Sequence, residues 1–307
     1  MYRAFPIDPR WQLLTRRWDI AKFLDVPHCR YDFFKEELKI HSRDSGRLVA
    51  KDGECNVELS SITNVGLVLS YELFYDRDQS GHGLSTSLQI DNYVLINREH
   101  SKWNFVIRFP EAGVYMLKIF GGRKEVHQSD SERTECVSKS EDVNYAELCV
   151  FRIDCNEPKS DCKPLPFNPG EIGYGPSIDT ELAGLKALSH RTGIVKLFVR
   201  EPTEFRFKIT KDVTVRSKLV HSTDQSTTLE QYCQQNLKNT LLTILVTMPE
   251  SGEYALVIHT KYVTSTSTFE NVCNYLLTSE SKTTTLRQWE VSCINMILNE
   301  RVLNSVR

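Results

Sequence analysis

The stretch FPEAGVYMLKIF, Phe109 to Phe120, is restated later in the chain as MPESGEYALVIH, Met248 to His259. Each shared letter has a mechanical job. Pro110 and Pro249 fix φ at the start of a turn, and Gly113 and Gly252 supply a conformation that other residues resist. Tyr115, Leu117 and Ile119 then alternate as one buried face of a strand, as do Tyr254, Leu256 and Ile258. Before each turn stands another β-rich stretch, NFVIRF or LLTILVTM. The repeated unit is strand, turn, strand.

Further echoes extend the repeat. LKIHSRDSG at Leu38 parallels LKALSHRTG at Leu185, DQS recurs at Asp78 and Asp224, and a closing apolar stretch carries Cys149 in one half and Cys273 in the other. The offset between copies is 147 residues at Leu38, 139 at Pro110 and 124 at Cys149, so the second copy is the shorter one. Surface loops absorb such differences cheaply. A Gly-x-Tyr turn entering a late strand matches the tyrosine corner of immunoglobulin-like sandwiches, with Leu117 and Leu256 where antibody domains place a cysteine. The expected fold is all-β, with two tandem immunoglobulin-like β-sandwiches.

At 307 residues the chain has room for two ordinary domains, and 40% hydrophobic with 25% charged residues is a globular composition. Residues 1–37 read as a partly helical leader anchored by Trp11 and Trp18, and 38–156 as the first sandwich. Residues 157–176 form a linker; from Asn156 to Pro176 the chain holds five prolines and three glycines. The second sandwich spans 177–279, with EFRFKIT as its cleanest strand. In 280–307, Leu286, Trp289, Cys293, Met296 and Ile297 recur at helical spacing and predict a C-terminal amphipathic helix.

A formal charge of −2 gives no electrostatic footprint for nucleic acid or an anionic membrane. No apolar run reaches the roughly 18 residues of a membrane span, and MYRAFPIDPRW lacks a signal-peptide apolar core. A cytoplasmic location is expected. Nine cysteines, an odd number with no C-x-x-C pair, read as thiols packed as small hydrophobes, so neither metal nor cofactor is expected. An extracellular adhesion module would need a signal peptide and paired cysteines. For nucleophilic chemistry the nearest local pair is His28-Cys29, but adjacent residues rarely face one another, and His127 and His190 fall in loops without a cysteine partner. No catalytic residue is assigned.

FPIDPRWQLL at Phe5, followed by FLDVPHCRYDFFKEELKI, resembles the segment after the catalytic core in the kyphoscoliosis peptidase and hillarin family of transglutaminase-like proteins. LPFNPGEIGYGP, ending in Gly175-Pro176, resembles the entry to that family's C-terminal modules, with Tyr174 where tryptophan is usual. The first copy shows no clear Gly-Pro entry. Active family members carry a Cys-His-Asp triad upstream of the segment around Trp11, and that triad is absent from this chain. The resemblance implies a non-catalytic scaffold with cytoskeletal protein partners, or the tail of a cysteine-dependent transglutaminase-like peptidase whose core lies elsewhere.

Overall fold

The structure is a computed structural model that describes residues 19–42, 45–62, 66–76, 87–99, 102–123, 144–221, 229–264, 266 and 268–280. Trp11, Trp18, the two DQS tripeptides, His127 and the expected C-terminal helix lie outside the described residues.

The first half opens with helix α1 (Ile20–Asp25), strand β1 (His28–Cys29) and helix α2 (Tyr31–Lys35). Strands β2 (Leu38–Ile40), β3 (Arg47–Val49), β4 (Glu54–Ser61), β5 (Leu67–Asp76) and β6 (Ser87–Gln89) follow. The half closes with β7 (Val94–Glu99), β8 (Lys102–Arg108), β9 (Gly113–Arg123) and β10 (Ala146–Cys155). One sheet has the order β2-β4-β8-β7; the other runs β1-β10-β9-β5-β6, with β3 joined parallel to β10.

The second half contains α3 (Ile178–Leu182), β11 (Leu185–Ala187), β12 (Ile194–Phe198), β13 (Pro202–Ile209) and β14 (Val213–His221). It ends with β15 (Cys233–Lys238), β16 (Leu241–Thr247), β17 (Glu253–Tyr262) and β18 (Glu270–Glu280). Its sheets are β11-β13-β16-β15 and β12-β18-β17-β14, with β12 parallel to β18. Both halves follow the immunoglobulin arrangement: four strands, β2-β4-β8-β7 or β11-β13-β16-β15, form one sheet, and in the other the last two strands, β9 and β10 or β17 and β18, are joined by the mid-half strand β5 or β14.

Period-2 patterning positions the cores. In β13, Phe205 and Phe207 are fully buried while Glu204, Arg206 and Lys208 are exposed. In β4, Val57 and Leu59 are fully buried and Cys55 packs at the core's margin. Burying such side chains contributes about 1.5–3 kcal/mol each.

The repeat persists at the level of single hydrogen bonds. The Arg152 amide donates to Gly46 O at 2.9 Å, and the Leu276 amide donates to Gly193 O at 2.8 Å. A Cβ on Gly46 would stand 2.6 Å from Val26 O, and one on Gly193 2.4 Å from the Tyr174 carbonyl carbon, so both sites admit only hydrogen. Each late hairpin slips register just before its cysteine, between Glu147 and Cys149 and between Ile258 and His259.

The repeat begins earlier than the sequence pattern indicates. Strand β1 pairs with β10, and Phe33 of α2 is buried in the first core, so residues 28–37 pack as part of the first sandwich although their composition reads as leader. Helix α3 stands at the place of α2 in the second copy. It is started by a capping box, in which the Asp179 amide donates to Ser177 Oγ and the Ser177 amide to Thr180 Oγ1. In the first copy, which has no Gly-Pro entry, the Val26-Pro27 backbone abuts Gly46 as the Tyr174-Gly175 backbone abuts Gly193.

Candidate functional site: the tyrosine corners and the interdomain joint

Tyr115 and Tyr254 sit at the start of β9 and β17, each 1% exposed. The Tyr115 hydroxyl donates to Glu111 O at 2.7 Å, and Tyr254 is hydrogen-bonded to the backbone of Glu250, four residues upstream in both cases. Burial raises both phenol pKa values. A cross-strand aromatic covers each ring: Tyr75 over Tyr115 at 4.8 Å and His221 over Tyr254 at 4.5 Å. These same side chains explain Gly113 (φ 152°) and Gly252 (φ 158°), where a Cβ would lie 2.6 Å from Tyr75 and 3.0 Å from His221. Pro110 and Pro249 open the bends that lead into the two corners. The corners hold each sandwich closed and carry no reactive group toward solvent.

The segment 157–176, which reads as a Pro/Gly linker, is anchored along its length. The Leu165 amide donates to Asn92 O at 2.7 Å and the Tyr174 amide to Ile96 O at 2.8 Å, so Tyr174 forms a parallel bridge with β7. The Tyr174 ring is fully buried, and its hydroxyl donates to Phe167 O at 2.6 Å. One residue on, the Gly175 amide donates to Asn274 O of β18 at 2.8 Å. Pro176, which cannot donate, precedes the Ser177 cap. Gly175 and Pro176 therefore stand where the chain passes from one sandwich to the other.

Around Tyr174 a third apolar core joins the halves. Leu95 and Val106 come from the outer face of β7 and β8, and Leu165 and Phe167 from the connecting segment. Ala255, Val257 and Leu276 come from the outer face of β17 and β18. Asn274, fully buried, donates from Nδ2 to Gly173 O at 3.1 Å and exchanges amide hydrogen bonds with Asn271 at 2.9 Å.

Two ion pairs flank this core. Arg98 Nη1 meets Asp179 Oδ2 at 2.7 Å, and Arg108 Nη1 meets both carboxylate oxygens of Glu253, at 2.9 and 2.8 Å. Burial opposes the Arg108 charge, but Glu253 and Glu54 outweigh it and hold its pKa up. Because each arginine is largely withdrawn from water, these pairs specify how the sandwiches meet more than they stabilise the contact.

The outward faces of β17 and β18 are a correction to the simple alternation expected there: Tyr254 to Ile258 are all buried, not every second residue. The signal was present in the residues. At the positions of Ala255, Val257 and Leu276 the first copy has Met116, Lys118 and Arg152. A strand that is apolar on both faces is covered on both.

Cys29 packs against the first core, and His28, the next residue along the strand, lines a surface groove with Val150 and Gly46. His190 stacks on Phe205 with ring centroids 4.4 Å apart, and burial followed by Arg206 lowers its pKa. Among the described residues no cluster of His, Cys, Asp and Glu has metal-binding geometry, and no helix is long and apolar enough to cross a membrane.

Two sandwiches with paired tyrosine corners and a shared joint define a tandem immunoglobulin-like protein. The chain belongs to the KY-like immunoglobulin-like domain family, whose model matches residues 20–166 and 183–290. It is similar to Hillarin of Drosophila melanogaster, 26% identical over 270 residues, covering 85% of this chain and 31% of the relative. It is also similar to the Lim and transglutaminase domain protein ltd-1 of Caenorhabditis elegans, 23% identical over 291 residues, covering 92% of this chain and 38% of the relative. The chain thus spans about a third of the length of these relatives. Among solved structures, titin domains Z1Z2 in complex with telethonin match at 10% identity with TM-score 0.21, covering 80% of this chain and 98% of that one. A marsupial T cell receptor matches at 9% with TM-score 0.22, covering 80% and 73%.

Proposed function

We propose that this chain is a non-catalytic interaction region of a cytoplasmic, cytoskeleton-associated protein, built to hold protein partners on two sandwiches of fixed relative placement. The observation that carries the reading is the joint. Its buried tyrosine, apolar core and two ion pairs turn a tandem repeat into one body, which suits a scaffold better than a pair of tethered modules. Surface is available for partners. Strand β15 is bonded to β16, and its residues Gln234 to Lys238 are exposed, the arrangement to which an extended peptide adds as a further strand. Co-sedimentation of the purified chain with actin filaments, microtubules and intermediate filaments tests the proposal. Binding to one of them, retained after removal of residues 1–18, supports it; no binding to any of the three overturns it.

A second reading, the tail of a cysteine-dependent transglutaminase-like peptidase, is favoured by one observation: a relative more than twice as long carries transglutaminase in its name. On either reading this chain alone neither cleaves peptides nor forms isopeptide cross-links, and Cys29→Ser changes nothing in those assays. Turnover that disappears with Cys29→Ser would place a working site in the entry segment and end the scaffold reading.

A further inference from the structure

Two of the nine cysteines stand directly opposite each other on neighbouring strands. In the β1–β10 ladder Cys29 is the partner of Cys149. The Arg30 amide donates to Leu148 O at 2.8 Å, while the Cys29 amide turns back to Pro27 O at 3.0 Å. The pair is therefore of the non-hydrogen-bonded antiparallel kind, in which Cα atoms approach to about 4.5 Å and side chains share one face. That separation falls within the roughly 4.4–6.8 Å that a disulfide spans. Both side chains point the same way: Cys149 is fully buried in the first core, and Cys29 packs against that core from its margin. Both are thiols in this structure.

We infer that Cys29 and Cys149 form a reversible cross-strand disulfide that locks the entry segment onto the last strand of the first sandwich. The co-reactant is a small-molecule disulfide of the glutathione type. Cys29, the more accessible thiol, loses its proton to solvent and attacks one sulfur of the oxidant, releasing one thiolate that takes up a proton. Cys149 loses its proton in turn and attacks Cys29 Sγ of the mixed disulfide, expelling the second thiolate. One protein disulfide forms, the pair loses two electrons, and one small disulfide becomes two thiols. Burial, and then the neighbouring Cys29, raises the Cys149 pKa, which makes Cys29 the first nucleophile and the ring closure the slow step. The ring encloses every strand from β2 to β9, so its closure restricts the unfolded first half of the chain.

The repeat supplies an internal control. Cys273 is the counterpart of Cys149, equally buried, and the entry to the second sandwich, Tyr174 to Ser177, has no cysteine, so the second sandwich has no such pair.

The test treats the purified full chain with glutathione disulfide, blocks remaining thiols with N-ethylmaleimide, and maps peptides without reductant. The expected result is an intramolecular Cys29–Cys149 linked peptide with Cys273 still alkylated. The unfolding midpoint should rise by about 5 °C or more, and dithiothreitol should reverse it. Cys29→Ser should lose both the link and the shift. Stable glutathione on Cys29 with no linked peptide, a link between other cysteines, or a link found only between two chains overturns the inference. Peptide mapping of the unsubstituted protein decides the matter even if Cys29→Ser folds poorly.

Discussion

Arg98 of the first sandwich reaches Asp179 of the second at 2.7 Å, with the arginine side chain 4% exposed and the aspartate 28%. The pair sits beside the Tyr174 core, and its guanidinium also lies over the Trp103 ring at 5.4 Å. Arg98→Ala should therefore cost about 2 kcal/mol, less than a fully buried pair because Asp179 retains some water. Tyr174→Ala removes the centre of the joint and should cost about 3–5 kcal/mol. Calorimetry should show one coupled transition dividing into two; a single unshifted transition would sink the account of the joint.

The tyrosine corners act one sandwich at a time. Tyr115→Ala and Tyr254→Ala should each destabilise their own half by about 3 kcal/mol or more, the cost of deleting a buried aromatic. Tyr→Phe at either site should cost about 1 kcal/mol, since only the hydrogen bond to the upstream backbone is lost. Hydrogen exchange resolved by half, in chains that also carry Tyr174→Ala so that the halves unfold separately, would check this, and equal loss in both halves would contradict it.

Alkaline pH should weaken the protein. Burial raises the pKa of Tyr71, Tyr115, Tyr174 and Tyr275 above the unfolded value of about 10. The fold thus favours their protonated forms. Their contribution is complete below about pH 10 and is lost as pH rises from there toward the folded values. Denaturant midpoints measured from pH 8 to 11 should fall only at the upper end, with phenolate absorbance appearing on unfolding. Midpoints unchanged up to pH 11 would contradict these assignments.

Alkylation under denaturing conditions, without reductant and without added oxidant, should label most of the nine cysteines. Four pre-existing bridges would overturn the cytoplasmic placement and restore the extracellular alternative.

Much of this fold was legible because strands that face one core advertise it. The alternation of Phe205 and Phe207 with charged neighbours, and the doubled Pro-Glu-x-Gly-x-Tyr turn, assign the sandwiches from local pattern alone. The joint was harder to read because its parts are distant in sequence: Leu95, Tyr174, Val257 and Leu276 form no motif, and a Pro/Gly-rich stretch is silent about what its few apolar residues touch. The difference between Lys118 and Val257 at one repeat position was the available clue. The partly helical leader expected from the sequence does hold α2, but its packing into the first sandwich was not legible because Phe33 is its one buried residue.

The two copies tolerate length differences of many residues between their landmarks, yet the passage from Leu165 to Gly175 is pinned at both ends and at Tyr174 between them. That passage behaves as a ruler. The passage turns through a 3-10 segment at Gly170–Ile172 just before Tyr174, so a residue inserted between that turn and Gly175 would displace Tyr174 from its bond to Ile96 O. The ring would then leave the core it fills, so the spacing of the two sandwiches is written in the number of residues that separate them.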